Sequence, residues 1–166
     1  MKAQISFVEF ITSLVIFIGF ATYISFQISL FLPNYLNEIR AERMRSEAFQ
    51  LSELLINDPG EPANWYVNFD NVKRIGLSDE TKNVTNFLSG IKISSFFSNC
   101  SANYTKIKEK LNTDFDFIVI LKDNEGKTYS CIPSVVYPRG INTTIRRVIA
   151  FRDGDIKYGS LLLQVW

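Results

Sequence analysis

The residues with the most distinctive chemistry are two cysteines, Cys100 and Cys131, in a chain of 166 residues that has no histidine. A reactive thiol needs a neighbour that lowers its pKa, usually a histidine or a second cysteine in a Cys-x-x-Cys pair. The sequence contains neither. Paired cysteines are instead typical of a disulfide in an oxidising compartment. We therefore predict a structural disulfide between Cys100 and Cys131.

Other catalytic and ligand-binding patterns are missing from the sequence. Without histidine the chain lacks the commonest general acid or base and the commonest metal ligand. It also has no glycine-rich phosphate loop, no Gly-x-Ser-x-Gly elbow and no cysteine cluster for zinc. We expect no enzymatic activity, no cofactor and no bound metal.

Two acidic stretches, Asp123-x-Glu125 and Asp153-x-Asp155, are faintly similar to calcium loops. A calcium loop of the EF type needs more oxygen ligands at set spacings. Hairpin turns explain both stretches better, and calcium binding is the alternative.

Four Asn-x-Ser/Thr sequons begin at Asn83, Asn99, Asn103 and Asn142, and none has proline in the middle position. Each is a possible N-glycosylation site, which would place this part of the chain outside the cytoplasm.

The element that precedes these residues is a charge-free apolar segment. Residues 10–32 include no Asp, Glu, Lys or Arg, and a helix of that length spans roughly 35 Å, enough to cross a bilayer core of about 30 Å. A buried helix would need a far larger domain to cover it, and a cleaved secretory signal should have a shorter apolar core followed by a small-x-small site. We predict one membrane span.

The orientation of this span depends on conflicting signals. Arg40, Arg43 and Arg45 follow the span, and by the positive-inside rule they would hold the following part in the cytoplasm. The cysteines and sequons favour the opposite orientation, and long domains translocate largely regardless of charge. We expect residues 34–166 to lie outside the cell membrane.

Glu9 lies among apolar residues where the chain enters the membrane. A carboxylate there is costly unless it stays at the level of the headgroups or finds a partner charge. At the level of the headgroups it would also be stabilised by the positive end of the helix dipole. A new N-terminal amine, created by processing, is a natural partner.

The first ten residues, MKAQISFVEF, resemble the class III signal peptide of archaeal type IV pilin-like proteins. The shared features are a short basic leader, a small residue, Gln-x-Ser and a glutamate before an apolar helix. The resemblance implies that a prepilin peptidase cuts between Ala3 and Gln4. It also implies partners: like subunits through the N-terminal helix, and a pilus assembly platform.

In that family the glutamate usually occupies the fifth mature position. A cut before Gln4 puts Glu9 at the sixth position. A cut after Gln4 restores the usual spacing but loses the leading glutamine, so both cut sites stay open.

Beyond the leader and the apolar segment, the chain divides into a stalk and a head. We predict a leader over residues 1–3, a membrane-spanning or filament-core helix over 4–33, an amphipathic stalk helix over 34–58 and an extracellular head over 59–166. Pro33 should kink or interrupt the helix. The stalk pattern is an apolar seam at Ala41, Met44, Ala48, Leu51 and Leu55.

The head pattern predicts an α+β fold, with one or two short helices packed on an antiparallel sheet. Residues 79–98, with Ser78 as N-cap, and residues 104–111 are the expected helices. Period-two apolar patterns predict strands at residues 115–121, 129–132, 142–151 and 161–165. The segments DPGEPANW (58–65) and RIGLS (74–78) are also similar to heads of the pilin-like group.

Charge is unevenly distributed although the total is only +1. Residues 1–62 carry a net charge of −3 and residues 63–166 a net charge of +4. The near-neutral total argues against a nucleic-acid partner. A solvated surface of mixed sign is the ordinary interpretation, and basic heads facing acidic stalks of neighbouring subunits are the alternative.

These features predict a structural subunit, major or minor, of a type IV-like surface filament. The alternative is a single-pass, membrane-tethered extracellular binding or adhesion module that does not polymerise. The sequence identifies no ligand for the head.

Overall fold

The structure is a computed structural model that describes residues 2–81, 84–133 and 140–166. Two compact units, Met1–Arg40 and Ala41–Trp166, make up the chain. A single helix, α1 (Lys2–Asn57), supplies most of the first unit and enters the second.

Pro33 was expected to kink or interrupt the helix, and it does not interrupt it, because α1 is helical on both sides of this residue. A proline removes one helix N–H and crowds one carbonyl. In a helix of 56 residues, the uninterrupted hydrogen bonds before and after it preserve the helical backbone. The helix ends at Asn57, ahead of the Asp58-Pro59-Gly60 turn, as the sequence indicates.

The second unit is an α+β head, as predicted. Two short 3₁₀ helices (Trp65–Val67 and Phe69–Asn71) follow α1, and then come β1 (Phe87–Ser89) and α2 (Gly90–Lys110). The remaining strands are β2 (Phe117–Asp123), β3 (Thr128–Cys131), β4 (Thr143–Asp153) and β5 (Asp155–Val165).

The sheet has the strand order β1-β4-β5-β2-β3 and is mixed, so the predicted antiparallel sheet is only partly right. Strand β2 pairs antiparallel with β3 and with β5, and β4 pairs antiparallel with β5. Val165 of β5 lies opposite Phe117 of β2 on one side and opposite Thr143 of β4 on the other. Strand β1 runs parallel to β4, with Leu88 opposite Phe151. This pairing joins segments about 60 residues apart, and no local sequence pattern predicts it.

The expected helix over residues 79–98 begins too early. Ser78 and Asp79 lie in a loop, residues 87–89 form β1, and α2 starts only at Gly90. The second expected helix, 104–111, is present as the last part of α2, after a non-helical backbone conformation at Asn103.

The core lies between one face of the sheet and the helices. The predicted stalk seam is confirmed from Met44 to Leu55, since four of its five residues are buried against the head. Alternate residues of each long strand point into the same core; they are Phe117, Val119, Leu121, Ile149, Phe151, Leu161, Leu163 and Val165.

Candidate functional site

The apolar half of α1 is exposed on all sides. Every side chain from residue 7 to residue 40 is exposed except Gln27, which is half-buried. Phe17 and Phe31, for example, are each 68% exposed. Among the described residues, this is the one helix that is long and apolar enough to cross a membrane. Water is an unfavourable environment for such a surface, since burying a single large apolar side chain contributes about 1.5–3 kcal/mol.

Four hydroxyl groups in this segment donate hydrogen bonds to backbone carbonyls of the same helix. Thr12 donates to the carbonyl of Val8 at 2.8 Å, and Thr22 donates to that of Ile18 at 2.9 Å. Ser25 and Ser29 donate in the same way to carbonyls one turn earlier. Burying these four hydroxyl groups in an apolar environment therefore leaves none of them without a hydrogen bond.

Glu9 is an exposed carboxylate within this apolar segment. It makes no hydrogen bond or ion pair with the residues whose side chains are described. The predicted cut site, Ala3 and Gln4, lies in the helical backbone of α1, and the side chains of residues 2–6 are outside the described part. Glu9 is therefore accessible to a partner other than the side chains that the structure describes.

The last four turns of α1 are fixed to the head by polar contacts as well as by the apolar seam. Arg147 on β4 contacts Glu53 and Ser52 and lies over the ring of Phe49 at 4.7 Å from its centroid. Thr113, between α2 and β2, donates a hydrogen bond to the carboxylate of Glu47 at 2.6 Å. Arg147 was not singled out by the sequence, because a lone arginine in a strand has no local signature.

The two head segments that resemble pilin-like heads come together around Trp65. The indole N–H of this fully buried residue donates to the carbonyl of Gly76 at 2.9 Å. Arg74 pairs with Asp58 at 2.9 Å. Gly76 is required by the packing, since a Cβ atom there would collide with the carbonyl of Asp58. These segments therefore form a structural cluster that closes the end of α1.

Lys92 is a second polar residue that the sequence did not reveal. Its side chain is almost fully buried, yet its ammonium donates to the carbonyls of Pro59 and Ser78 at 2.9 and 3.0 Å. Glu80 lies 3.4 Å away. Because a buried charge requires such partners, Lys92 connects α2 to two loops rather than serving as a free nucleophile.

The predicted disulfide joins α2 to β3. Cys100 and Cys131 are both fully buried, with their Cα atoms 5.4 Å apart. Neither thiol is free for chemistry.

The sequons differ in their surroundings. Asn99 lies within α2, and its amide donates to the carbonyl of Ser95 at 2.8 Å. Asn103 is half-buried at the break in α2, whereas Asn142 is exposed just before β4. Asn83 lies outside the described residues.

The two acidic stretches are hairpin turns, as predicted. Asp123 ends β2 and accepts hydrogen bonds from the backbone N–H groups of Glu125 and Lys127, at 3.0 and 2.7 Å. Glu125 pairs with Lys157, and this hydrogen bond raises the pKa of Lys157. Asp153 and Asp155 flank Gly154, which has a φ of 77°. Across the described ranges, no three acidic or cysteine side chains gather as a metal site.

No family model, curated protein or solved structure matches this chain. The likeness to pilin-like proteins therefore depends on the residues quoted above.

Proposed function

We propose that the chain is a structural subunit of a type IV-like surface filament that is anchored in the membrane by α1 before assembly. The observation that carries this proposal is the exposure of the apolar residues from 7 to 39 on every side of the helix. A helix of this kind is stable in lipid or among similar helices, and membrane helices associate by packing and polar contacts rather than by the hydrophobic effect.

In this proposal, processing and assembly are linked through Glu9. Removal of the leader, with the cut before or after Gln4, creates an amine at the start of the helix. When the helix leaves lipid for a bundle of like helices, the carboxylate of Glu9 pairs with such an amine. The head, closed by the Cys100–Cys131 disulfide, lies outside the cell.

The sharpest test is the intact mass of the protein purified from the native membrane and from sheared surface material. We expect the loss of residues 1–3, or of residues 1–4 for the alternative cut, together with the mass of an oxidised cysteine pair. The same mature species should appear in the sheared filaments.

A matched pair of variants separates assembly from anchoring. Glu9→Gln should leave the protein in the membrane fraction but lower filament yield, because the neutral amide attracts an amine far less than a carboxylate does. Glu38→Gln makes the same change on an exposed residue of α1 beyond the apolar segment and serves as the control. An uncut protein that stays in membranes, and whose loss changes no filament, would instead identify a tethered binding module.

A further inference from the structure

Gln27 is the one side-chain amide within residues 10–32 of the apolar segment. The charge-free part of α1 continues to Asn37, so its centre lies between residues 23 and 24. At a rise of 1.5 Å per residue, Gln27 is about 5 Å from that centre, inside a hydrocarbon layer of about 30 Å. The Cα–Cβ bonds of a helix tilt toward its N-terminus. The side chain of Gln27 therefore starts out toward the middle of the membrane and not toward the nearer surface.

The amide of Gln27 differs from the hydroxyl groups around it. Thr22, Ser25 and Ser29 donate to carbonyls within their own helix. Gln27 makes no hydrogen bond with the residues that the structure describes. Lipid tails neither donate nor accept hydrogen bonds, and an amide without a hydrogen bond is costly in an apolar environment. Polar side chains within a membrane accordingly tend to face another helix and to form hydrogen bonds across the interface.

Gln27 lies on the same side of α1 as Glu9. The two residues are 18 positions apart, which at about 100° per residue is five full turns. Positions between and beyond them follow at alternating spacings of four and three. We call this set the Gln27 face; it consists of Glu9, Ser13, Ile16, Phe20, Tyr23, Gln27 and Leu30. Alternating spacings of four and three are the repeat by which two parallel helices interdigitate in a left-handed crossing.

The opposite side of the helix carries hydroxyl groups that are already satisfied. Thr22, Ser25 and Ser29 lie about 140–160° away from Gln27 around the helix axis, and each donates to a carbonyl of α1. The apolar side chains of the Gln27 face are open, since Phe20 and Leu30 are both more than half exposed. The unpaired amide thus lies on the side that has room for a partner helix.

We propose that α1 pairs in the membrane with α1 of a second copy of the chain, in parallel and through the Gln27 face, with the two Gln27 amides hydrogen-bonded to each other. Copies inserted in the same orientation place Gln27 at the same depth. An amide is self-complementary, because it offers an NH₂ donor and a carbonyl acceptor. Glu9, at the other end of the face, stays at the level of the headgroups.

This inference rests on the membrane-anchoring part of the proposed function and not on filament assembly. The pair belongs to the membrane stage, in which it keeps the amide hydrogen-bonded before the helix leaves the lipid. A second copy satisfies this amide without any other membrane protein.

Cysteine cross-linking in the full chain tests which side of the helix meets its copy. Leu30→Cys lies on the Gln27 face, and Ser29→Cys lies at nearly the same depth on the opposite side. The native cysteines do not interfere, since they are buried and joined in a disulfide. Oxidation of isolated membranes with copper phenanthroline should give several-fold more cross-linked dimer from Leu30→Cys than from Ser29→Cys.

A second experiment tests the amide itself. Full chains labelled at the C-terminus with donor or acceptor fluorophores are placed in phosphatidylcholine vesicles, and energy transfer is followed as the protein-to-lipid ratio changes. Gln27→Leu should weaken the association about three- to tenfold, the range expected for one hydrogen bond between membrane helices. Gln27→Asn retains an amide and should keep most of the association. Ser29→Leu places the same leucine on the opposite side and should leave the association unchanged.

The other outcomes reject the pair and separate its failure from that of the proposed function. Equal cross-linking from both cysteines, or association that is insensitive to Gln27→Leu, would overturn the pair and leave anchoring and filament yield unaffected. Cross-linking of Leu30→Cys to a different membrane protein would overturn the assignment to a second copy. If alkaline carbonate extracts the wild-type chain from membranes, the anchor fails and this inference fails with it.

Discussion

Tyr104 connects the last part of α2 to the start of β2. Its hydroxyl accepts a hydrogen bond from the backbone N–H of Phe117 at 2.9 Å and lies 3.3 Å from a carboxylate oxygen of Asp116. Burial is the largest cause that raises the pKa of Tyr104 to about 12, and the negative charge of Asp116 also raises it. Lys108 pairs with the same carboxylate at 2.8 Å.

These contacts predict how stability changes at high pH. Between pH 10 and pH 12 the unfolded chain loses the Tyr104 proton while the folded chain keeps it. The contribution of this residue is therefore complete below pH 10 and falls as the pH rises through this window. Tyr104→Phe should cost about 1 kcal/mol at pH 7, because the N–H of Phe117 loses its acceptor. Denaturant unfolding at pH 7 and pH 11 measures both effects; an equal loss with pH in the variant would contradict the assignment.

At the scale of elements, the Cys100–Cys131 disulfide ties the middle of α2 to β3, which is the edge strand of the sheet. Its cysteines are separated by 31 residues, and closing a loop of that length stabilises the fold by about 3–4 kcal/mol in the chain-entropy model. Cys100→Ser with Cys131→Ser should lower the free energy of unfolding by about that amount. Thermal unfolding of wild type with and without reductant provides the comparison, and an unchanged midpoint in reductant would contradict it.

The elements that the sequence predicts well are those with strong local patterns. The alternation of Phe117, Val119 and Leu121 predicts β2, and the apolar seam from Met44 to Leu55 predicts the packing of α1 on the head. The start of α2 could not be found in the same way. Ser78 followed by Asp79 and Glu80 has the local chemistry of a helix start, but here Asp79 accepts hydrogen bonds from Thr81 in a loop.

Long-range pairing explains the other differences between prediction and structure. Residues 87–89 become β1 because β4 offers a partner about 60 residues later, and no period in so short a segment indicates it. Lys92 and Arg147 are also anchored by partners distant in sequence. The candidate site was only partly predictable for the same reason: the apolar helix is visible in the composition, whereas the polar contacts of Lys92 and Arg147 depend on the tertiary fold.

At the scale of the whole molecule, the near-average composition is a sum of unlike parts. The apolar half of α1 carries exposed hydrophobic side chains on all sides, whereas the head has a buried core and charged surface residues. The polar contacts of the head bind its elements to one another, and its two cysteines are joined in the disulfide. The filament subunit that we propose would use both parts, the apolar helix for anchoring and packing and the head for surface contacts.

The sequons provide a test of where the head lies. If the head is outside the cell in a host that glycosylates, Asn142 should carry the most glycan of the three described sequons, because it is exposed in a coil before β4. Asn99 should carry little, since its amide nitrogen is held by the carbonyl of Ser95 inside α2. Glycopeptide mass spectrometry of the native protein measures the occupancy of each site, and Asn142→Gln should remove more of the added mass than Asn99→Gln. Glycan on Asn99 with an unmodified Asn142 would show that attachment precedes folding of α2. A protein without glycan, in a cell whose other surface proteins are glycosylated, would argue against an external head.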